Sequence, residues 1–371
     1  MDENSGQKTI AVLTEIREND DKEPSFGNIH AFCEELNQLV TKARGLFYVF
    51  SLKGISQKTI HGFRFDEDKW VKTELPFPQI IYNRIHSRKT ESGKKYAAFL
   101  QKMKELNITV FNERFLSKWE VHQWLSQQKN LLRYLPETSL FSEPNLAKLI
   151  DEYDELYLKP VTGSQGRGII WLTSHDKHIE KVSANHDGLV QELFTSQTEL
   201  FQALKKLNYR PYLIQQGIPL LQHEGKRIDF RVLCHRTTNQ QWKVTSNVAR
   251  LSAENHFASN VALGGEILRP HQALVPFMGT RSAQSKLELM KELALECANC
   301  IAERIQCSVG ELGIDIGVDE DGELWLIEVN SKPSKQTEKR SGTIRPSAKA
   351  IFEYCTYCIE NRSEGEKSWE L

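Results

Sequence analysis

The stretch Glu311–Val318 (ELGIDIGV) is followed by the turn residues Asp319–Gly322 (DEDG) and by Glu323–Asn330 (ELWLIEVN). Two apolar, alternating runs on either side of an Asp-Gly turn predict a β-hairpin. Glu328 and Asn330 are two residues apart and therefore point to the same face of the second strand. Such a hairpin offers side-chain oxygens as ligands, and oxygens suit Mg²⁺ or Mn²⁺ bound together with phosphates.

The acids of this hairpin allow two interpretations. The simpler one is a hairpin at a sheet edge with solvated acids, and it is the better one for Asp319 and Asp321 in the turn. Glu328 is different because its neighbours are apolar, which indicates a side chain close to the core. Asp315 lies in the middle of the first strand. We therefore predict a metal site formed by Asp315, Glu328 and Asn330.

Length and composition set the class of protein. The 371 residues are enough for two or three domains with sizeable cores. The sequence has 48 Lys and Arg against 49 Asp and Glu, so its net charge of −1 gives no indication of nucleic-acid binding. The mean hydropathy is −0.49, and no apolar run approaches the roughly 20 residues of a membrane span. The first residues lack the features of a signal peptide, which predicts a cytoplasmic location.

Seven cysteines include two C-x-x-C pairs, Cys297 with Cys300 and Cys355 with Cys358. Paired C-x-x-C units can indicate zinc. Here each pair lies in a helical pattern and lacks the glycine-rich turn that usually presents such ligands. We therefore predict cysteines buried on helices, with a zinc site as the weaker alternative.

The first part of the chain, residues 9 to 111, alternates strand-like and helix-like patterns and predicts an α/β unit. One of its strand patterns ends in the polar residues Asn83 and Arg84, with Arg88 shortly after. Because ligands of open α/β sheets bind at the carboxyl ends of strands, these residues are candidates to contact an anionic substrate. The equal alternative is that Asn83 and Arg84 cap the next helix and pair with Glu91.

A glycine-rich loop follows an apolar strand that carries Lys159. The loop consists of Gly163, Ser164, Gln165, Gly166, Arg167 and Gly168. Glycines allow backbone N–H groups to approach phosphate oxygens, and a nearby lysine supplies a positive charge. A strand pattern follows the loop, so it is neither a Walker A motif nor a Rossmann fingerprint. It predicts a β-hairpin lid over nucleotide phosphates, and a plain glycine hairpin is the alternative.

A third stretch, Tyr212–Leu220, is a strand that runs into glycine. Its end can present backbone N–H and C=O groups to an adenine edge, and it includes Gln215, Gln216, Gly217 and Ile218.

Further along, Asp229 and Arg231 lie on one face of a strand, the next strand brings Arg250, and a polar loop contains Asn260. These charges could form a surface ladder. Together with Lys159 and the carboxylate hairpin, they make a phosphate site the better interpretation.

Taken in order, these residues and Lys118, which follows the helix-capping residue Ser117, resemble the ATP-grasp superfamily over about two-thirds of the chain. Within it, the chain is most similar to the YheC/YheD family of endospore coat-associated proteins of spore-forming bacteria. That resemblance covers nearly the full length. It rests on Phe77–Arg84, Gln215–Leu220, Gly310–Asp315 and Glu328–Pro333.

The resemblance implies an α/β fold in which an ATP-grasp fold of two α+β subdomains follows an N-terminal pre-ATP-grasp domain. The implied boundaries are 1–112 for the N-terminal domain, 113–210 for the subdomain with the glycine-rich lid, 211–361 for the subdomain with the metal site, and 362–371 for a disordered tail.

The resemblance also implies the roles of the site residues. Lys118 and Lys159 would bind the phosphates of ATP, and Asp315, Glu328 and Asn330 would hold one or two Mg²⁺, with Mn²⁺ as a substitute. The implied ATP-binding set is Lys118, Lys159, Gly163, Ser164, Gln165, Gly166, Gly168, Gln215, Gln216, Gly217, Ile218, Asp229 and Asn260.

The implied chemistry is transfer of the γ-phosphoryl group to a carboxylate, followed by attack of an amine on the acyl phosphate. Arg231 and Arg250 would neutralise the transferring group. Lys332 replaces a small residue common in related ligases and would interact with the acceptor. The alternative is a nucleotide-binding scaffold of the spore coat without turnover. Forespore, mother cell and coat are the implied locations. Spore-coat proteins are the implied partners, and a homodimer stays open.

Overall fold

The computed structural model describes residues 7–19, 22–163, 166–185, 188–205, 207, 210–252, 265–335 and 343–367. Three large sheets follow one another along the chain and form three units. In the described part of the chain, no helix is both long and apolar enough to cross a lipid bilayer.

The N-terminal unit is an α/β sheet with strand order β6-β5-β4-β1-β7-β8, in which β1 runs parallel to β4 and β7. Helices pack on both faces, so the predicted α/β unit is confirmed. The elements are β1 (Thr9–Leu13), β2 (Arg17–Asn19), β3 (Lys22–Ser25), α1 (His30–Lys42), β4 (Leu46–Ile55), β5 (Ile60–Asp66), β6 (Lys69–Leu75), β7 (Ile80–Asn83), α2 (Arg88–Glu91), α3 (Lys94–Glu105) and β8 (Thr109–Phe111).

The middle unit is an antiparallel sheet in the order β13-β12-β11-β10-β14-β9, and α6 and α7 contribute to its apolar core. The implied boundary at residue 210 would assign β14 to the next unit. It belongs here because it pairs with both β10 and β9. The elements are α4 (Lys118–Ser126), α5 (Lys129–Leu132), β9 (Thr138–Leu140), α6 (Glu143–Glu152), β10 (Glu155–Pro160), β11 (Ile170–His175), β12 (His178–Asn185), β13 (Gly188–Phe194), α7 (Gln197–Leu204) and β14 (Tyr212–Gln216).

The C-terminal unit has the sheet order β18-β17-β16-β19-β20, with β15 added to β16. Helices α4 and α8 contribute to the core of this sheet, and α8 breaks at Gly279, whose φ is +73°. The predicted Asp-Gly hairpin is confirmed as β19 and β20. The elements are β15 (Gln222–His223), β16 (Lys226–Arg236), β17 (Trp242–Leu251), β18 (Glu266–Leu268), α8 (Pro270–Arg304), β19 (Glu311–Val318), β20 (Leu324–Asn330) and α9 (Pro346–Lys367).

The last helix differs from the expectation in two ways. The tail was predicted to be disordered from residue 362, but α9 continues to Lys367, and only residues 368–371 lie outside the described part. The helix also joins two units, because it packs against β16 and β17 while Ile351 and Tyr354 enter the N-terminal core with Phe32. The remaining domain boundaries stay a prediction.

The cysteine pairs lie on helices as predicted. Cys297 and Cys300 are buried on α8, Cys355 is buried on α9, and Cys358 is half-buried beside it. Burial raises the pKa of Cys297 and Cys355 well above the ordinary value for a thiol. Among the described residues, no group of three or more His, Cys, Asp or Glu side chains is arranged to hold a metal ion.

Candidate active site

The β19–β20 hairpin places its acids on the two strands at one edge of the third sheet. Gly322 closes the turn with φ +81°, and the register sets Asp315 opposite Glu328 and Gly313 opposite Asn330. The register shifts just after Asp315, which leaves Ile327 as the extra residue of a β-bulge. Bulges redirect side chains and are frequent beside active sites. The alternation of the sequence gave no sign of it.

Two arginines from β16 and β17 bind the acids of this sheet. Arg231 lies opposite Asp315 and donates two hydrogen bonds to its carboxylate, the one from Nη2 to Oδ2 at 2.9 Å. Arg250 lies opposite Asp229 and donates to its two oxygens at 2.7 Å and 2.5 Å. The Arg250 Nη2 atom is also 3.1 Å from Oδ1 of Asp315. The four side chains form one buried charge network.

The network fixes the ionisation of its acids. Burial alone would raise the pKa of Asp315, but Arg231 and Arg250 outweigh it and lower that pKa below its ordinary value. Burial opposes the charge of Arg250, whereas Asp229 and Asp315 raise the pKa of its guanidinium. Asp315 and Arg250 are therefore both charged at neutral pH, because oppositely charged groups face each of them in the interior.

The predicted metal ligands fit a divalent cation in part. Glu328 is 32% exposed and faces Lys118, whose Nζ donates to its Oε1 at 2.5 Å. Asn330 donates its amide N–H to Asp315 at 3.3 Å, which leaves its amide oxygen directed elsewhere. Both oxygens of Asp315, in contrast, already accept bonds from guanidinium groups. A carboxylate and an amide oxygen of β20 therefore suit Mg²⁺, while Asp315 can join them only by exchanging an arginine contact.

Two lysines approach this face from the other side of a cleft. Lys118 begins α4, behind the N-cap Ser117, and reaches Glu328 as described above. On β10, Lys159 donates to Oε1 of Gln215 at 2.5 Å and lies 5.4 Å from the ring centroid of Tyr157. Burial lowers the pKa of Lys159 to about 8, and the charge of Glu328 opposes that effect.

The glycine-rich loop joins β10 to the antiparallel β11, as the predicted hairpin requires. Gly166 and Gly168 have φ values of +71° and +75°, a conformation that other residues rarely adopt. Gly163 has an ordinary backbone conformation. Ser164 and Gln165 lie outside the described residues.

Two backbone N–H groups at the strand end expected to face adenine already donate hydrogen bonds within the protein. The N–H of Gly217 donates to the carbonyl of Glu155 at 2.7 Å, and the N–H of Gln216 donates to the carbonyl of Glu137 at 2.9 Å. The prediction that the Gly217 N–H is exposed to a ligand is therefore wrong. Gly217 is required instead for the close approach of β10, because a Cβ there would lie 2.9 Å from the carbonyl oxygen of Glu155. Ile218 is buried beside it.

Asn83 and Arg84 do not meet a substrate. Both are fully buried. The Asn83 amide donates to Glu91 at 2.8 Å and to Tyr96 at 2.7 Å, so the alternative pairing with Glu91 is observed for Asn83, whereas Ser87 caps the next helix. Arg84 donates to the carbonyl of Pro333 at 2.8 Å and lies in an ion pair with a buried acid on β19. Tertiary packing uses both side chains.

Lys332 is likewise unavailable to an acceptor. Its side chain is fully buried, donates to Glu91, and donates to the carbonyl of Ile85 at 3.2 Å. Its third side faces the ring of Phe115, with Nζ 4.6 Å from the centroid. Burial lowers the pKa of Lys332 to about 8, although Glu91 opposes that effect. The expected catalytic role of this lysine is wrong.

All of these elements surround one cleft of about 530 Å³ between the second and third sheets. Its wall includes Lys159, Gly166, Gln215, Gln216, Ile218, Asp229, Arg231, Arg250, Asp315, Glu328 and Asn330. Most of the predicted phosphate-binding and metal-binding side chains are thus brought together on one wall. Lys118 reaches this wall through its bond to Glu328, whereas Asn83 and Arg84 are buried away from it. Ser164, Gln165 and Asn260 lie outside the described residues. The wall also contains His86, Phe115 and Tyr157, for which the sequence made no prediction, and Arg167 and Arg227, to which it assigned no role. Arg167 lies in the glycine-rich loop, and Arg227 alternates with Asp229 and Arg231 along β16.

Arg227 connects the second and third sheets at the cleft. Its guanidinium donates to the hydroxyl of Tyr157 and lies 3.3 Å from a carboxylate oxygen of Glu155. It also packs 5.0 Å from the ring centroid of Trp171 on β11. The cation therefore ties the third sheet to the two lid strands of the second sheet.

Known proteins resemble this chain in sequence and in fold. The chain is 29% identical over 357 residues to the endospore coat-associated protein YheD of Bacillus subtilis, covering 91% of this chain and 76% of that protein. The D-alanine–D-alanine ligase from Coxiella burnetii superposes with a TM-score of 0.54 at 11% identity over 98% of each chain. An ADP complex of N5-carboxyaminoimidazole ribonucleotide synthetase gives 0.52 at 14% identity, covering 94% of this chain and 77% of the other. These two structures share the fold alone.

The family described as YheC/D-like ATP-grasp matches residues 107–358. This range contains the glycine-rich loop, the strand end at Gln215, Gln216, Gly217 and Ile218, and the β19–β20 hairpin. Since the match spans more than half of the chain, this protein belongs to the YheC/D-like ATP-grasp family.

Proposed function

We propose that this protein is an ATP- and Mg²⁺-dependent ligase that joins a carboxylate to an amine through an acyl phosphate. The observation that carries the proposal is the convergence of Lys159, Arg231, Arg250 and Glu328 on one cleft, with Lys118 bonded to Glu328 from the adjoining cavity. Cations and hard-metal ligands on the same wall are the groups that phosphoryl transfer requires, because its catalysis depends on positioning and charge neutralisation.

The charge of the cleft supports a polyanionic ligand. Five basic side chains line it, Lys159, Arg167, Arg227, Arg231 and Arg250, against the three acids Asp229, Asp315 and Glu328, whereas the buried Lys332 is paired with Glu91. A wall with more cations than carboxylates attracts a nucleotide polyphosphate. Binding of phosphate beside Lys159 would also favour its charged form, which burial now disfavours.

Each group has a definable task. Lys118 and Lys159 bind phosphate oxygens, and the hairpin loop with Gly166 and Gly168 covers them. Glu328 and Asn330 hold Mg²⁺, which would neutralise the terminal phosphates when bound. Arg231 and Arg250 face the transferring group. ATP is proposed as the nucleotide on the basis of the family and the solved ADP complex of a protein with this fold.

The reaction balances as two displacements. A carboxylate oxygen of the substrate forms a bond to the γ-phosphorus while the bond to the bridging oxygen breaks, which releases ADP. The amine nitrogen then attacks the acyl carbon, inorganic phosphate leaves, and the nitrogen loses a proton. The cationic wall lowers the cost of the charge that collects on the transferring phosphoryl group.

One observation favours a second function, that of a nucleotide-binding scaffold of the spore coat without turnover. Asp315 is saturated by Arg231 and Arg250, and Asn330 donates to it as well. If those contacts persist with nucleotide bound, only Glu328 and Asn330 remain for metal. Such a site would bind a nucleotide but position its terminal phosphate poorly.

The experiment that separates these functions measures binding and turnover in parallel. The protein is titrated with ATP and Mg²⁺, and ADP release is then measured across pools of amino acids and peptides. Binding with pool-dependent ADP release supports the ligase. Binding without release in any pool supports the scaffold, and the absence of ATP binding contradicts both.

The named relative is endospore coat-associated, which supports a place in the sporulating cell or at the coat. We propose that the substrates are met there, and that coat proteins are the partners. Fluorescent fusion of the full chain in a sporulating cell tests this location, and a diffuse signal throughout sporulation would contradict it.

A further inference from the structure

The cleft extends beyond the phosphate-facing residues to the N-terminal unit. This arm is lined by His86 and Phe115 and by the start of the segment that follows β20. Burial, together with the nearby Arg84 and Lys332, lowers the pKa of His86 to about 4, so its imidazole is neutral at neutral pH. The arm is open to the same cleft as Glu328. A group bound here would lie beside the site of phosphoryl transfer.

Arg88 is the cation that contacts Phe115, one of the residues that line this arm. It begins α2, and its half-buried guanidinium lies 4.5 Å from the ring centroid of Phe115. Nη2 donates to the carbonyl of Leu116 at 3.1 Å. Nε is buried and has no hydrogen-bond partner in the described part of the chain. The guanidinium is therefore held in place by a stacking contact and one hydrogen bond.

Its natural partner is occupied elsewhere. Glu91 lies three positions along the same short helix, where it could pair with Arg88. Its Oε1 instead accepts bonds from Asn83, at 2.8 Å, and from Lys332, while its Oε2 accepts the N–H of Phe115 at 2.9 Å. Because Lys332 and these other donors saturate Glu91, no ion pair to Arg88 forms within the described residues.

The pKa of Arg88 is consistent with the absence of a carboxylate partner. Burial lowers the pKa of its guanidinium, and the carboxylates of Glu328 and Glu91, at longer range, only oppose that effect. A partly desolvated cation without a carboxylate partner is costly unless a ligand supplies one. Glu328, the candidate metal ligand, is one of the carboxylates that act on Arg88, so Arg88 lies toward the site of phosphoryl transfer.

We propose that Arg88 binds the carboxylate of the substrate, which makes the arm next to Phe115 the carboxylate subsite. The proposal rests on the ligase function proposed above. The planar, forked guanidinium matches a carboxylate, and within the described residues it has a stacking contact and one hydrogen bond but no ion-pair partner. Arg88 comes from the N-terminal unit, whereas the groups assigned to phosphates come from the other two. Substrate and nucleotide therefore reach the cleft from opposite walls.

The test compares Arg88→Ala and Arg88→Lys with the wild-type protein and with Lys89→Ala. Lys89 is the exposed next residue of the same helix and is the matched control. Each protein is titrated with ATP–Mg²⁺ and with ADP–Mg²⁺. Binding of acetate, glutamate and N-acetylglutamate is measured by saturation-transfer NMR, with and without ADP–Mg²⁺. Circular dichroism establishes that each variant is folded, and Arg88→Lys keeps the charge if Arg88→Ala fails to fold.

We expect wild-type and Lys89→Ala to bind at least one carboxylate. Both Arg88 variants should bind it about 10- to 100-fold more weakly, as the loss of a hydrogen bond to a charged group implies. ATP and ADP affinities should stay within about twofold. A selective loss of ATP over ADP affinity would assign Arg88 to the γ-phosphate and overturn the proposal. So would unchanged carboxylate binding, or no carboxylate binding by the wild type. A protein that binds carboxylate but no nucleotide would contradict the ligase function instead.

Discussion

Replacing Glu328 by glutamine separates its metal role from its contribution to folding. In the folded protein its Oε1 accepts a hydrogen bond from Lys118 at 2.5 Å, and the two side chains are 32% and 15% exposed. An ion pair this open to water contributes about 0.2–1 kcal/mol, and the amide oxygen of glutamine still accepts a hydrogen bond. We therefore expect the free energy of unfolding to fall by less than about 1 kcal/mol.

The expected effect on nucleotide binding is far larger. Glutamine keeps the shape of the side chain but removes the negative charge that would face Mg²⁺. Changes to groups that merely support a metal ligand already cost about 10- to 100-fold in affinity. Loss of a coordinating carboxylate should cost at least about 100-fold in Mg²⁺-dependent ATP affinity, with ADP release falling in parallel.

Calorimetric titration with ATP at several Mg²⁺ concentrations measures the first quantity, and urea unfolding measures the second. Glu320→Gln is the control, because Glu320 is exposed in the turn of the same hairpin and should bind ATP as the wild type does. If Glu328→Gln binds ATP–Mg²⁺ with wild-type affinity, Glu328 is not a metal ligand. A loss of several kcal/mol in stability would instead make its pair with Lys118 structural.

Three further changes test the packing around the cleft. Asp229→Asn removes one of the two carboxylate partners of the buried Arg250, and urea unfolding should show a loss of about 3 kcal/mol; a loss below 1 kcal/mol would contradict the buried network. Burial lowers the pKa of Lys332 from 10.5 to about 8 in the folded protein. Between these two pH values the unfolded chain binds more protons than the folded protein, so the free energy of unfolding should rise with pH. Lys332→Met should flatten this rise. Gly217→Ala should cost about 1–3 kcal/mol, because its Cβ would lie 2.9 Å from a carbonyl oxygen of β10, whereas Gly163→Ala, with contacts of 3.4 Å or more, should leave the unfolding midpoint unchanged.

Local patterns predicted the fold well where neighbours in sequence decide the structure. The Asp-Gly turn gave the β19–β20 hairpin, and Ser117 accepts the N–H of Glu120 as a helix cap should. In a capping box, Glu120 would in turn accept the N–H of Ser117. Glu120 binds Arg114 at 2.7 Å and 2.8 Å, and no local pattern distinguishes that choice.

The errors concern side chains whose partners are distant in sequence. Arg84 and Lys332 looked like free cations at the mouth of a site, but their partners are 249 and 241 residues away. Gly217 was assigned to a ligand because a strand ends there, yet a carbonyl of β10 takes its N–H. In each case the burial of the group determines its hydrogen-bond partners. Burial depends on how the three sheets are arranged in space, which local sequence patterns do not reveal.

The return of α9 to the N-terminal unit has a consequence for biosynthesis. Ile351, Tyr354 and Ile359 fill the core that Phe32 and Phe47 begin, about 300 residues earlier. The N-terminal unit therefore cannot complete its interior until α9 has been synthesised. A fragment that ends near residue 112 would expose that apolar surface and is expected to aggregate or recruit a chaperone. Folding of the N-terminal unit thus waits for the chain that carries the candidate active site.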